Sequence, residues 1–377
     1  MKKKFKNDWL SLFIALAITF TGVLSIISSE GGISNGVPPI ALKQLSFLGL
    51  ALFSYIIFSF VNYRYYTKAA PVLYFVGLSL LVLVLLIGTV KGGARRWLLV
   101  GPVQFQPSEL MKIFMIIVLA RIFTRLKGEV PDRANFAFAF ISILPIILLI
   151  VIEPDLGTAL VYFLIFLFIS FVSPVDWRLP VTFILVCILL IPATLPLMKD
   201  YQKDRIVSFL NPSSDPLGKG YQSMQSKIAI GSGGLKGWGL FKGPQNKLNF
   251  IPSQTTDFIF SIIGEEGGFI VSAFIVLIYF VMILRIGILG ARAPDSFGAL
   301  ILFGISSMFF IQTFVNIGMT MGIIPVTGLP LPFMSYGGSA LVINFTSLGI
   351  ANSVYKNLGF KTYAPRPKII NVLFKRG

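Results

Sequence analysis

The chain reads as an all-α polytopic membrane protein, and three observations carry that reading. Of its 377 residues 55% are hydrophobic and only 12% charged, with mean hydropathy +0.84, whereas soluble domains carry about twice that share of charge. Apolar runs of about 20 residues, long enough to cross a hydrocarbon core, recur along the whole sequence. The excess of basic residues, a net charge of +17, is scattered over the intervening loops and forms no aromatic-interleaved patch. Anionic lipid headgroups and a diphosphate are therefore the expected counter-charges, and nucleic acid is not.

Ten spans are predicted within one integral membrane domain over 1–377, at about 9–28, 45–61, 71–90, 107–124, 136–152, 156–173, 179–197, 257–284, 297–323 and 333–355. Lys2, Lys3, Lys4 and Lys6 precede a first span of full length with no small-residue cleavage site behind it, so that span is expected to be retained. An even number of spans puts both termini on one side. With that side inside, 19 of the 32 basic residues fall in inner segments and 4 in short outer loops, so both termini are expected to be cytoplasmic. A large extracytoplasmic loop, 198–256, then separates spans seven and eight, and a basic tail, 356–377, stays inside.

Histidine is absent and Cys187 is the only cysteine. A His base, a His/Cys metal site, a Cys–His pair and an internal disulfide are all excluded. Any chemistry falls to carboxylates, lysines, arginines, hydroxyls and backbone. Cys187, inside an apolar run, reads as a small buried apolar residue.

The unusual residues gather on the outer side. Asp257 lies where the polar loop enters the eighth span; it either caps that helix or, with Ser261, Gly264 and Gly268 on one stripe, forms a small polar face that lines a cavity or a tight helix contact. Glu265 and Glu266 lie roughly 12–14 Å further along the helix at 1.5 Å per residue, too far to work with Asp257 across a glycosidic bond. In Gln106-Pro-Ser-Glu109, Pro107 and Glu109 mark a helix start. Lys112 either pairs with Glu109, meets phosphate oxygens, or favours the charged form of Asp257. Asp155 is a natural N-cap for the sixth span; Glu153 has no such local role and is a candidate lining residue. Arg96 sits in the outer segment Gly92-Gly-Ala-Arg-Arg-Trp97.

Within the loop, Asn211 to Pro216 reads as a turn, and Arg205 and Lys227 are the basic residues best aimed at a diphosphate. Glycines 231, 233, 234, 237 and 239 offer a backbone nest for an anion. Finally, Ile324 to Ala340, with three prolines among its residues, implies an irregular re-entrant turn. Ser335 within it has no base, so it reads as wall rather than nucleophile.

Asn316, Gly322-Ile-Ile-Pro-Val-Thr-Gly-Leu-Pro-Leu-Pro-Phe-Met-Ser-Tyr-Gly-Gly-Ser-Ala340, Gln225-Ser-Lys-Ile-Ala-Ile-Gly-Ser-Gly-Gly234, Thr256-Asp-Phe-Ile-Phe260, Gly264-Glu-Glu266, Gln106-Pro-Ser-Glu109 and Glu153-Pro-Asp-Leu-Gly157 together resemble the motif blocks of the SEDS family, which includes RodA and FtsW. The blocks keep the family's order and cover residues 106–340. The resemblance implies a ten-helix peptidoglycan glycosyltransferase of the bacterial cytoplasmic membrane that polymerises lipid II on the outer face. It also implies a class B penicillin-binding protein as transpeptidase partner and MreB-associated elongation machinery. Gln225 to Ile230 and the short N-terminal segment look more like the RodA branch, for elongation, than the FtsW branch, for division. The family's essential acid matches Asp257. Thr255 stands where the family commonly has His, Ser253 where it often has Glu, and Trp238 where Lys is usual.

The expected mechanism has Asp257 as general base toward the acceptor sugar hydroxyl, or as ligand to Mg²⁺ or Mn²⁺ bridging the diphosphate, with no organic cofactor. Arg205, Lys227, Lys112 or Arg96 would stabilise the leaving diphosphate, with Glu109, Glu153, Asp155 and Ser335 lining the site. Two other readings remain open at this point: a lipid II flippase, which also needs intramembrane acids and a central cavity, and a non-catalytic scaffold of the wall-synthesis complex. The outward crowding of unusual residues favours the polymerase over the flippase.

Overall fold

The computed structural model describes residues 7–32, 36–91, 94–101, 103–194, 196, 200–211 and 218–358. Each predicted span is met by a helix: α1 (Trp9–Ser29), α2 (Pro39–Phe60), α3 (Tyr65–Ile87), α4 (Pro107–Arg125), α5 (Asp132–Ile152), α6 (Leu156–Val172), α7 (Arg178–Thr194), α11 (Ile259–Ala291), α12 (Ser296–Thr320) and α13 (Gly338–Lys356). Six of these, α1, α2, α3, α5, α11 and α12, are long and apolar enough to cross a membrane. The chain is an all-α polytopic membrane fold.

Local sequence sets the helix ends. Asp8 caps α1 through Ser11 N–H, Asp155 caps α6 through Thr158 N–H, and Asp295 caps α12 through Gly298 N–H. Pro107 occupies the first turn of α4, where its missing N–H has no partner to lose. Phenylalanines 13, 53, 75, 274 and 280 point outward, while Gln44, Gln312, Asn316, Asn344 and Ser347 are buried. That arrangement suits helices whose outer faces meet lipid and whose contacts are made by packing and hydrogen bonds.

The two ends of the bundle are chemically different. At one end Asp8 pairs with Arg285 (2.6 Å) and takes its place beside Asn352, while Tyr63 and Arg64 converge on Asp295. At the other lie Asp257, the starts of α4 and α6, and the end of α12. The connections at this second end hold more regular structure than the sequence announced. Thr89–Lys91 (β1), Ala94–Val100 (β2) and Val103–Phe105 (β3) form a small antiparallel sheet in the order β1-β2-β3, drawn from a β-branched and aromatic run between glycines.

The large loop also carries helices: α8 (Asp200–Leu210), α9 (Lys219–Ser232) and the short α10 (Pro244–Lys247). The last span starts at Gly338 rather than 333. The turn beyond Asn211, Gly92 and Gly93, Lys2 to Lys6 and the tail from 359 lie outside the described residues.

Candidate active site

Asp257 sits in the turn before α11, whose cap position is Phe258. It is therefore not the cap residue that the sequence allowed for. The backbone around it is held by one segment. Tyr336 N–H donates to Thr255 O (2.9 Å), the Ser335 hydroxyl donates to Thr256 O, and the Asn316 carboxamide donates to Asp257 O (2.8 Å). Three successive carbonyls are thus fixed, each bond contributing about 0.5–1.5 kcal/mol. Ser335 Oγ also accepts from Leu331 N–H (2.8 Å), and Gln44 Nε2 donates to Ser335 O (3.1 Å). The hydroxyl is thereby engaged with backbone on both sides, a wall-building role.

The Asp257 side chain is half-buried and borders Gly328. A Cβ at Gly328, where φ is +75°, would lie 3.3 Å from Asp257 Oδ2. Gly328 belongs to an irregular strip, Gly322 to Pro330, that links the other candidates. The Lys227 stem lies across Gly322, within 2.8 Å of where a Cβ would be. Arg205 lines a small pocket with Ser223, Ile324 and Val326. Gly157, in the first turn of α6, packs against Thr327 O at a distance no side chain would allow. Asp257, Lys227, Arg205 and the start of α6 therefore hang along one piece of chain.

Arg96 reaches the turn before α6 from β2. Its Nε donates to Glu153 O (3.2 Å), its Nη2 to Pro154 O, and its Nε lies 3.6 Å from Asp155 Oδ2. Both carboxylate oxygens of Glu153 are buried and have no hydrogen-bond partner among the described residues. Burial pushes its pKa up to about 8, reinforced by the Asp155 charge and opposed by Arg96. Burial therefore favours the protonated form of Glu153.

Lys112 and Glu109 form a 2.7 Å pair that is almost wholly buried. Of the roles the sequence left open for Lys112, this geometry is the pairing one. The pair sits under the wall, and Tyr162 OH donates to the adjoining Ser108 O (2.6 Å).

Glu265 and Glu266 are absorbed by structure. Glu265 accepts from Gln245 N–H (2.6 Å) and Asn246 N–H (3.0 Å) at the start of α10, and Glu266 accepts from Ser28 Oγ and from Asn246 Nδ2 (3.1 Å). The glycines read as an anion nest are engaged likewise. Gly237 N–H donates to Gly233 O, Trp238 N–H to Glu265 O and Gly239 N–H to Glu266 O, while Phe269 N–H donates back to Gly234 O. The small-residue stripe of α11 is a tight contact, broken at Gly268 (φ 65°, ψ −165°), where Gly237 N would be 2.3 Å from a Cβ.

Among the described residues no three or more Asp, Glu, Cys or His gather as a metal-binding cluster. A divalent ion here would have Asp257 as its protein carboxylate and water or phosphate oxygens as its other ligands, the usual donor set for Mg²⁺ on a phosphorylated substrate. Sequence reasoning overlooked Asn316 and Gln44 as positioning groups. A buried Asn or Gln inside an apolar span was the available signal.

Comparison with known proteins agrees with this architecture. The family model for the FtsW, RodA and SpoVE cell cycle proteins matches residues 8–358. Peptidoglycan glycosyltransferase MrdB of Escherichia coli K12 is 40% identical over 349 residues, covering 91% of this chain and 92% of the relative. Peptidoglycan glycosyltransferase RodA of Treponema pallidum is 32% identical, covering 92% of this chain and 97% of that relative. Among solved structures, a chain of a peptidoglycan synthase complex described as coordinating polymerization and crosslinking matches with TM-score 0.80 and 32% identity, covering 94% of this chain and 98% of that one. The rod shape determining protein RodA of Thermus thermophilus matches with TM-score 0.71 and 29% identity, over 95% of this chain and 99% of its own.

Proposed function

The chain belongs to the FtsW/RodA/SpoVE family of cell cycle proteins, and from that premise we propose that it is a peptidoglycan glycosyltransferase that polymerises lipid II on the outer face of a bacterial cytoplasmic membrane during elongation. The observation that carries the proposal is the clamp on Thr255 to Asp257, which presents one half-buried carboxylate beside Gly328 at the end of the bundle away from both termini.

In this reading the acceptor sugar meets Asp257, which takes the proton of its attacking hydroxyl as that oxygen bonds to the donor's anomeric carbon. The bond to the lipid diphosphate breaks, and Lys227 and Arg205, along the same strip, stabilise the departing charge. The proton stays on the Asp257 carboxylate until solvent removes it. Arg96 and Lys112, engaged with the Glu153–Asp155 turn and Glu109, hold the wall instead. In place of the base role, Asp257 would hold Mg²⁺ or Mn²⁺, which would neutralise diphosphate charge.

Positive charge at the opposite end supports cytoplasmic termini. A class B penicillin-binding protein is the proposed partner, with the synthase-complex neighbour as support. The test is purified protein with that partner and labelled lipid II, read as glycan length. Asp257→Asn should still bind lipid II and make no glycan; glycan of normal length would remove Asp257 from the chemistry, and translocation without polymerisation would make the protein a transporter.

A further inference from the structure

The end of the bundle remote from Asp257 contains a second cavity, of about 470 Å³, between α3, α4 and α5. Arg121 and Arg125 line it from the last turns of α4. They are four residues apart and so share a helix face. At 1.5 Å per residue they lie roughly 21–27 Å along α4 from Pro107, well away from the site above. Val118, Tyr74 and Phe138 supply apolar wall, and Glu129 contributes the single carboxylate of the lining.

Two features distinguish this cavity from an ordinary basic helix end. Arg121 Nη1 is buried with no hydrogen-bond partner, and among the described residues neither Arg121 nor Arg125 is in any ion pair. A guanidinium N–H withdrawn from water without an acceptor is costly, whereas basic side chains at membrane ends ordinarily snorkel into water. The cavity also faces the bilayer: Phe138 is 55% and Phe75 66% exposed. The Tyr74 hydroxyl is already engaged within the lining, donating to Ser142 O (2.8 Å).

We propose that this cavity binds an anionic phospholipid, its phosphate accepting from Arg121 and Arg125 and its acyl chain lying against Phe75 and Phe138. A phosphate oxygen supplies the acceptor that Arg121 lacks, and two guanidinium groups favour a net negative headgroup over one carrying its own ammonium. The apolar wall favours a lipid over free phosphate. Under the orientation argued above, this is the cytoplasmic leaflet, where anionic lipid is drawn to basic side chains.

Native mass spectrometry of the purified full-length protein, incubated with phosphatidylglycerol, phosphatidylcholine or inorganic phosphate at matched concentration, tests this. The expected result is one retained phosphatidylglycerol that phosphatidylcholine does not replace and phosphate does not displace. Arg121→Gln and Arg125→Gln should each cut its retention roughly tenfold. Thermal midpoints verify folding, and the exposed Arg125 gives a variant that does not depend on the partly buried Arg121. Asp257→Asn should retain the lipid as wild type does, which separates this result from that of the glycan assay. Equal retention of both lipids, or wild-type retention by both folded variants, overturns the proposal; displacement by inorganic phosphate would leave a simple anion site and overturn the lipid.

Discussion

The Asn316 carboxamide donates to Asp257 O at 2.8 Å and to Leu329 O at 2.7 Å, so a single buried side chain of α12 fixes the distance between the candidate base and the strip that carries Gly328. Asn316→Ala leaves both carbonyls without that donor, at about 1–3 kcal/mol for each that water cannot reach. The larger expected effect is on rate, because a displacement of about 1 Å at a reacting group can cost on the order of 100-fold. Glycan synthesis should fall at least tenfold while lipid II binding changes little. Wild-type turnover by a folded Asn316→Ala protein would show that the clamp does not position Asp257.

Glu153 makes stability depend on pH. Its folded pKa of about 8 lies above its ordinary value of 4.5, so the folded protein holds a proton that the unfolded chain releases first. Its contribution is complete below about pH 4.5 and fades as pH rises through 8. Glu153→Gln removes the titrating group while keeping its shape. The thermal midpoint of the wild type should drop between pH 6 and pH 9 more than that of the variant, and parallel curves would mean that Glu153 is already ionised in the fold.

The helices that meet the predicted spans were legible in the sequence because a run of about 20 apolar residues has few alternatives to a helix in lipid. Asp155 as a cap and Glu109 with Lys112 as an i,i+3 pair were legible for the same local reason. The irregular turn after Ile324 was legible from its prolines, but the bonds that Asn316 and Gln44 make were not, because they join residues far apart in the chain, 59 positions for Asn316 and Asp257. The glycines after Ile230 misled in an instructive way. Their pattern fits an anion nest and a backbone contact equally, and only the fold shows α11 lying against them.

Two of those glycines should respond oppositely to alanine. Gly231 is inside α9 with nothing within 4 Å of a Cβ, so Gly231→Ala should raise stability by about 0.5–1 kcal/mol. Gly237 has φ +74°, and its Cβ would fall 2.0 Å from Glu266 O. The left-handed backbone alone costs an alanine roughly 1–2 kcal/mol, before α11 is pushed away from the loop. Thermal midpoints of the two variants should move in opposite directions, and a neutral Gly237→Ala would deny the close contact.

Glu109 and Lys112 set up the last test, which separates a wall-building pair from a substrate contact. Both side chains are at most 3% exposed and 2.7 Å apart, so removing one leaves a buried charge that costs about 3–5 kcal/mol, whereas replacing both with neutral groups of similar volume can be nearly neutral. Lys112→Met alone should lower the thermal midpoint strongly and reduce glycan synthesis through loss of folded protein. Adding Glu109→Gln should recover much of the midpoint, since a neutral amide no longer needs the ammonium. If the double variant recovers stability and also recovers turnover per folded molecule, Lys112 acts through Glu109. Recovered stability with turnover still absent would instead place the ammonium on the diphosphate, which would require α4 to open during the reaction.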